Sequence, residues 1–151
     1  MSENQYDPRA RQSQRRGVAS LSLRVYQRLW DSFRIPMRAE FRFDADDPLV
    51  VAVTFLPKDE PPVTWHISRE LLYGGLVEAS GTGDVQVWPL RVHRRWMVRI
   101  RLECRGRAAQ FEVDLRAVED WLHETYTAVP MGEELNGVDW DAVVADLLGG
   151  R

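Results

Sequence analysis

The feature that most restricts the fold is the alternation of apolar and polar side chains, which recurs in short runs from Val18 to Val113. Successive residues of a strand point to opposite faces, so a chain written with period two must build half-buried sheet. Leu21, Leu23 and Val25 alternate with Ser20, Ser22, Arg24 and Tyr26; after a loop, Met37, Ala39, Phe41 and Phe43 alternate with Arg38, Glu40 and Arg42. A third strand, Leu49 to Phe55, is apolar on both sides apart from Thr54, which predicts a central position with cover on each face. Val63, Trp65 and Ile67 form a fourth, and Val85 to Trp88 a fifth that Pro89 stops. In the sixth, Trp96, Val98, Ile100, Leu102 and Cys104 point inward, with Met97, Arg99, Arg101 and Glu103 outward. After the Arg105-Gly106-Arg107 turn, Ala109, Phe111 and Val113 form the inner face of the seventh.

Helical spacing interrupts this pattern in three places. Ser68 supplies an N-cap for a helix of about two turns, which the Gly74-Gly75 pair closes. Asp114 caps a longer helix carrying Leu115, Val118, Leu122, Tyr126 and Val129 on one face, and Pro130 ends it. A last amphipathic segment starts at Asp139 and presents Trp140, Val143, Val144, Leu147 and Leu148, an apolar set that should pack on the body or on a neighbour. Four strands and a helix, then three strands and a helix, define an α+β fold: about seven antiparallel strands in curved sheets or a barrel, backed by C-terminal helices. The stretch from Trp65 to Pro89 is the hinge between the halves.

With 151 residues, 44% of them hydrophobic, the chain is read as one domain over residues 18–151, preceded by a disordered basic arm over residues 1–17 carrying Arg9, Arg11, Arg15 and Arg16. The net charge of -3 conceals an arginine-rich run from Arg91 to Arg107 and an acid-rich run from Glu112 to Asp146. The single Cys104, in phase with buried aliphatics, excludes an internal disulfide and reads as an inert core thiol. The Asp44 to Pro48 cluster lacks the spacing of a calcium loop and reads as a turn. A polar start and the lack of a long apolar run point to a cytoplasmic protein without a membrane span.

Catalysis has no visible apparatus. His66, His93 and His123 are far apart in sequence, and Gly81-Thr82-Gly83 reads as a tight turn rather than a phosphate cradle. No catalytic, cofactor or metal residue is assigned, and the chain is read as a non-enzyme. Binding is better supported: Trp88, Arg91, Arg94 and Arg95, with His93, Trp96, Arg99 and Arg101 nearby, could form a basic, aromatic sheet face for a partner. Such a face could stack bases and track phosphates as a single-stranded nucleic-acid binder. Alternatively, its arginines pair with the acidic helices of the same chain or of another subunit.

Trp65, Arg69, Leu71, Leu72, Gly75 and Leu76, followed by Gly81, Gly83, Asp84, Val85, Val87, Trp88 and Pro89, resemble the motif of the SsgA-like sporulation and cell division proteins of actinomycetes. The resemblance runs from about Val18 to Leu148. It implies a Whirly-like fold and a homo-oligomer, expected to be a trimer. It also implies non-enzymatic work in septum-site selection, with the division protein FtsZ and other SsgA-like proteins as partners, and recruitment to the cell septum. This chain departs from the FtsZ-recruiting pattern in its arginine-rich N-terminus and at Arg94-Arg95-Trp96.

Overall fold

The computed structural model describes residues 17–30, 33–136 and 140–149. All of the expected N-terminal arm except Gly17 lies outside the described residues, as does Asp139, the expected start of the last helix. The strands are β1 (Leu21–Trp30), β2 (Phe33–Arg42), β3 (Val50–Leu56), β4 (Val63–Ser68), β5 (Val85–Val92), β6 (Arg95–Cys104) and β7 (Arg107–Asp114). The helices are α1 (Arg69–Gly74), α2 (Leu115–Ala128) and α3 (Trp140–Gly149). The strands form one antiparallel sheet in the order β4-β3-β2-β1-β7-β6-β5, curled into a half-barrel.

Two consecutive meanders, β1 to β4 and β5 to β7, meet where β1 pairs with β7. That seam is short, limited to Tyr26↔Glu112, Gln27↔Phe111 and Arg28↔Gln110. Phe55 and Phe111 stack across it on the inner side, with ring centroids 4.0 Å apart. Opposed residues of an antiparallel pair share a face, so the register divides the sheet cleanly. Val25, Phe41, Val53, Ile67, Val87, Ile100 and Val113 line the concave side. Arg24, Arg38, Thr54, Trp88, Arg99 and Glu112 lie on the convex side.

Helix α2 crosses the concave side. Its cap forms as expected, the Asp114 carboxylate accepting from the Ala117 N–H at 3.1 Å, and it buries Val118, Trp121, Leu122 and Thr125. Trp121 meets Phe41 edge to face and donates its indole N–H to the Ala19 carbonyl at 2.8 Å, anchoring the chain ahead of β1. In α1 the Ser68 hydroxyl accepts from the Leu71 N–H at 3.2 Å. Gly75 closes this helix in a right-handed conformation, and the site needs glycine for space: a Cβ there would overlap the Val87 side chain. Gly81 has φ of 90°, as a tight turn demands.

The structure corrects several expectations. Cys104 and Trp96, although on the concave side as expected, are exposed because β6 outruns the helix at both ends, and Met97, on the convex side, is buried. Pro89 lies inside β5 instead of ending it. The N–H of Val87 bonds Ser80 away from β6, so the nitrogen of Pro89, two residues on, also faces off the edge and costs no ladder bond. β3 is internal, but its convex side is only half-buried. The loop expected between the first two strands is a long hairpin whose aromatic end, Trp30 stacked on Phe33, is exposed on both faces and so shows no alternation.

Candidate functional site

Three regions could carry function: the latched end of the concave side, the β5–β6 hairpin and the open end of the concave side. At the latched end Arg69, the first residue of α1, is fully buried. It donates to the Thr125 carbonyl at 3.0 Å and to Glu134 Oε1 at 3.1 Å, with its guanidinium 4.0 Å from the Tyr126 ring centroid and 5.0 Å from that of Phe43. A guanidinium sandwiched by rings and paired with a carboxylate is a stable way to bury this charge. Glu134 is held below the usual carboxylate range, first by its own backbone N–H and then by Arg69, against the opposing effect of burial. Burial pushes the Tyr126 phenol up, against the pull of Arg69. These residues bind α1, α2 and the segment after α2 to one another.

The β5–β6 hairpin carries all four residues expected to bind a partner, but distributes them. Trp88 is half-buried on the convex side, with the Arg99 guanidinium 5.9 Å from its ring centroid. Arg95, also convex, is tied to Asp114 at 3.2 Å. Arg91 lies on the concave side, 5.4 Å from the ring of Trp96, opposite it in the register. Arg94 is in the turn, where it and His93 adopt left-handed φ of 67° and 48°. Two such residues make the turn whose twist suits a hairpin, at a local cost of about 1 kcal/mol each for non-glycine side chains. Among the described residues neither Arg91 nor Arg94 has a carboxylate partner.

Among the other strand arginines, those with a carboxylate partner pair within the sheet rather than with the acidic helices: Arg42 with Glu40 and Arg101 with Glu103 along their own strands, and Arg34 and Arg99 with Glu112. Arg99 meets Glu112 at 2.8 Å, and Arg34 approaches the other oxygen at 3.4 Å. Glu112 is fully buried although it belongs to the convex side, and its two arginines belong to different meanders, so it ties the seam from outside. The alternation alone gave no sign of this, because a charged residue at an outward position ordinarily faces water.

The open end holds a groove of about 430 Å³ lined by Met37, Phe55, Trp65, Leu102 and Phe111, with Cys104 and Arg107 at its mouth. Among the described residues no cluster of three or more His, Cys, Asp or Glu could hold a metal ion, and no helix is long and apolar enough to cross a membrane.

An antiparallel half-barrel of two meanders, joined at one seam and crossed by a single long helix, is the architecture of the SsgA-like sporulation and cell division proteins. The chain belongs to that family: its residues 37–134 match the family model described as Streptomyces sporulation and cell division protein, SsgA. The sporulation-specific cell division protein SsgB of Thermobifida fusca is 35% identical over 118 residues, covering 78% of this chain and 86% of that protein. SsgB of Streptomyces coelicolor is 40% identical over 114 residues, covering 76% and 83%. A solved SsgA-like sporulation-specific cell division protein from Thermobifida fusca superposes with a TM-score of 0.75 at 31% identity, over 85% of this chain and 94% of that one. These relatives support a role in sporulation-associated cell division.

Proposed function

We propose that this chain is a non-enzymatic adaptor of sporulation-specific division that helps select septum sites and localise FtsZ through protein contact. The reading is supported by one observation above all: the β5–β6 hairpin projects two arginines, Arg91 and Arg94, that have no carboxylate partner among the described residues, beside a half-exposed Trp96 and a two-residue turn. Aromatic and arginine side chains on a fixed element are the usual anchors of a protein interface. Trp88, Arg91, Arg94 and Arg95 are the proposed contact residues. A partner approaching the hairpin tip meets Arg94 first and Arg91 with Trp96 on the concave flank. FtsZ and other SsgA-like proteins are the proposed partners, engaged in the cytoplasm at the septum by a homo-oligomer. Single-stranded nucleic acid is the weaker candidate, since Trp88 and Arg91 face opposite sides of the sheet and offer no continuous stacking track.

The test is binding of purified chain to FtsZ and to other SsgA-like proteins at physiological salt. Saturable binding is expected, weakened about tenfold or more in Arg91→Glu/Arg94→Glu, a change of ~1.4 kcal/mol. No saturable binding to any of these proteins, or binding indifferent to the double variant, overturns the assignment. Single-stranded DNA and RNA titrated at low salt form the second arm. There, tight binding that falls steeply with salt would favour the nucleic-acid reading instead.

A further inference from the structure

The chain holds an unfilled apolar groove and an uncovered apolar helix. Every residue of α3 from Asp141 to Gly149 is exposed; Leu147 and Leu148 are 77% and 83% exposed, and Val143 and Val144 lie one turn before them. Spacings of three and four residues put all four in one stripe. Among the described residues, the expected packing of this segment on the body is therefore not met, which leaves a neighbour. At the other end of the half-barrel, the groove between Trp65 and Phe111 presents the matching surface, about 430 Å³ of largely apolar space open to water. Apolar patches of this kind on one molecule mark contact sites more often than chance exposure.

We propose that α3 of one copy of this chain seats its Val143-Val144-Leu147-Leu148 stripe in the open groove of a second copy. Charge favours this occupant. α3 carries Asp141 and Asp146 and no basic residue, whereas the β6–β7 turn at the groove mouth carries Arg105 and Arg107, both exposed; Glu60 is the one acid on the rim. A second copy is favoured over self-insertion because α3 lies outside its own chain's groove: every residue from Asp141 to Gly149 is exposed, and none of them lines the groove. A helix from one copy in a groove of another is a head-to-tail contact, which closes into a ring or an exchanged dimer according to the rotation between copies. It stands whether or not FtsZ is a partner.

Cys104, the only cysteine, lies exposed at the groove mouth and reports on its occupancy. The experiment follows alkylation of Cys104 and the solution mass of the intact chain from high to low micromolar concentration. It compares the wild type with Leu147→Asp/Leu148→Asp on the helix and Val63→Arg on the groove, both at solvent-exposed positions and each checked for unchanged far-UV circular dichroism. The wild type should be oligomeric and slowly alkylated when concentrated, and faster to react as dilution lowers its mass. Both variants should self-associate at least tenfold more weakly and react quickly throughout. Monomers at every concentration, oligomers indifferent to either variant, or Cys104 protection independent of concentration, the sign of a helix folded back on its own groove, would each overturn the proposal.

Discussion

The two ends of the concave face are built from the same strands with the same alternation, yet they differ in nearly every physical respect. Going from the latched end to the open end, β4 passes from buried Ile67 through half-buried Trp65 to exposed Val63, and β6 from Val98 and Ile100 to Leu102 and then exposed Cys104. The difference lies in what covers them. At one end α1 and α2 close over the sheet and Arg69 ties both to Glu134; at the other, no described element reaches. Strand pattern therefore decides which face is apolar, and helix reach decides how much of that face becomes core. Only the first can be read from a period of two.

The largest expected effect comes from opening the latched end. Arg69→Ala removes a buried cation, leaving the Thr125 carbonyl and part of Glu134 without a donor, and should cost about 3–5 kcal/mol. Arg107→Ala, an exposed arginine at the open end, should change stability by less than ~0.5 kcal/mol. Urea unfolding of both variants measures the contrast. A loss below about 1 kcal/mol for Arg69→Ala would mean that the guanidinium is incidental to closure.

Apolar truncation sharpens the same contrast at a slightly smaller scale. Leu122→Ala, in the fully buried part of α2, should lose about 2–5 kcal/mol through lost transfer energy and a cavity. Val63→Ala, half exposed at the groove, should lose under ~1 kcal/mol when measured on dilute protein. Equal losses would show that the groove is as well packed as the core.

Much of this was legible beforehand. The seven strands, the caps Ser68 and Asp114 and the order of elements follow from side-chain period and capping chemistry, both local properties of the chain. What escaped depends on contacts between distant segments. Arg69 was recognisable only as one residue of a family motif; its burial requires Thr125, Tyr126 and Glu134 to arrive from more than fifty positions away. Glu112 sat at an outward position that Arg34 and Arg99 happen to cover, and Trp121 was overlooked because its partner is the Ala19 carbonyl at the far end of the chain. The expected contact residues were found on one hairpin, but a sequence cannot show that a strand divides Trp88 and Arg91 between two faces until the register is known.

The smallest effect is a pH dependence confined to the latched end. Glu134 has its carboxyl lowered from 4.5 in the folded chain, chiefly by its own backbone N–H and then by Arg69, and it regains ordinary acidity on unfolding. A depressed folded value makes the carboxylate a stabilising group above the unfolded value, and that contribution disappears as pH falls through the folded one. Glu134→Gln retains an oxygen to accept from Arg69 but loses the charge. The stability difference between wild type and Glu134→Gln should therefore be constant near neutral pH, shrink below about 4.5 and vanish in stronger acid. Tyr126 provides the alkaline counterpart. Its raised phenol, surrounded by Glu70, Tyr73 and Glu134 as well as Arg69, favours the neutral form in the folded chain, so its contribution holds below pH 10 and fades as pH rises through the folded value. Urea midpoints from pH 3 to pH 11 for wild type, Glu134→Gln and Tyr126→Phe separate the two limbs. An acid limb that survives unchanged in Glu134→Gln would assign it to other carboxylates and would leave the latched end no more sensitive to acid than the open one.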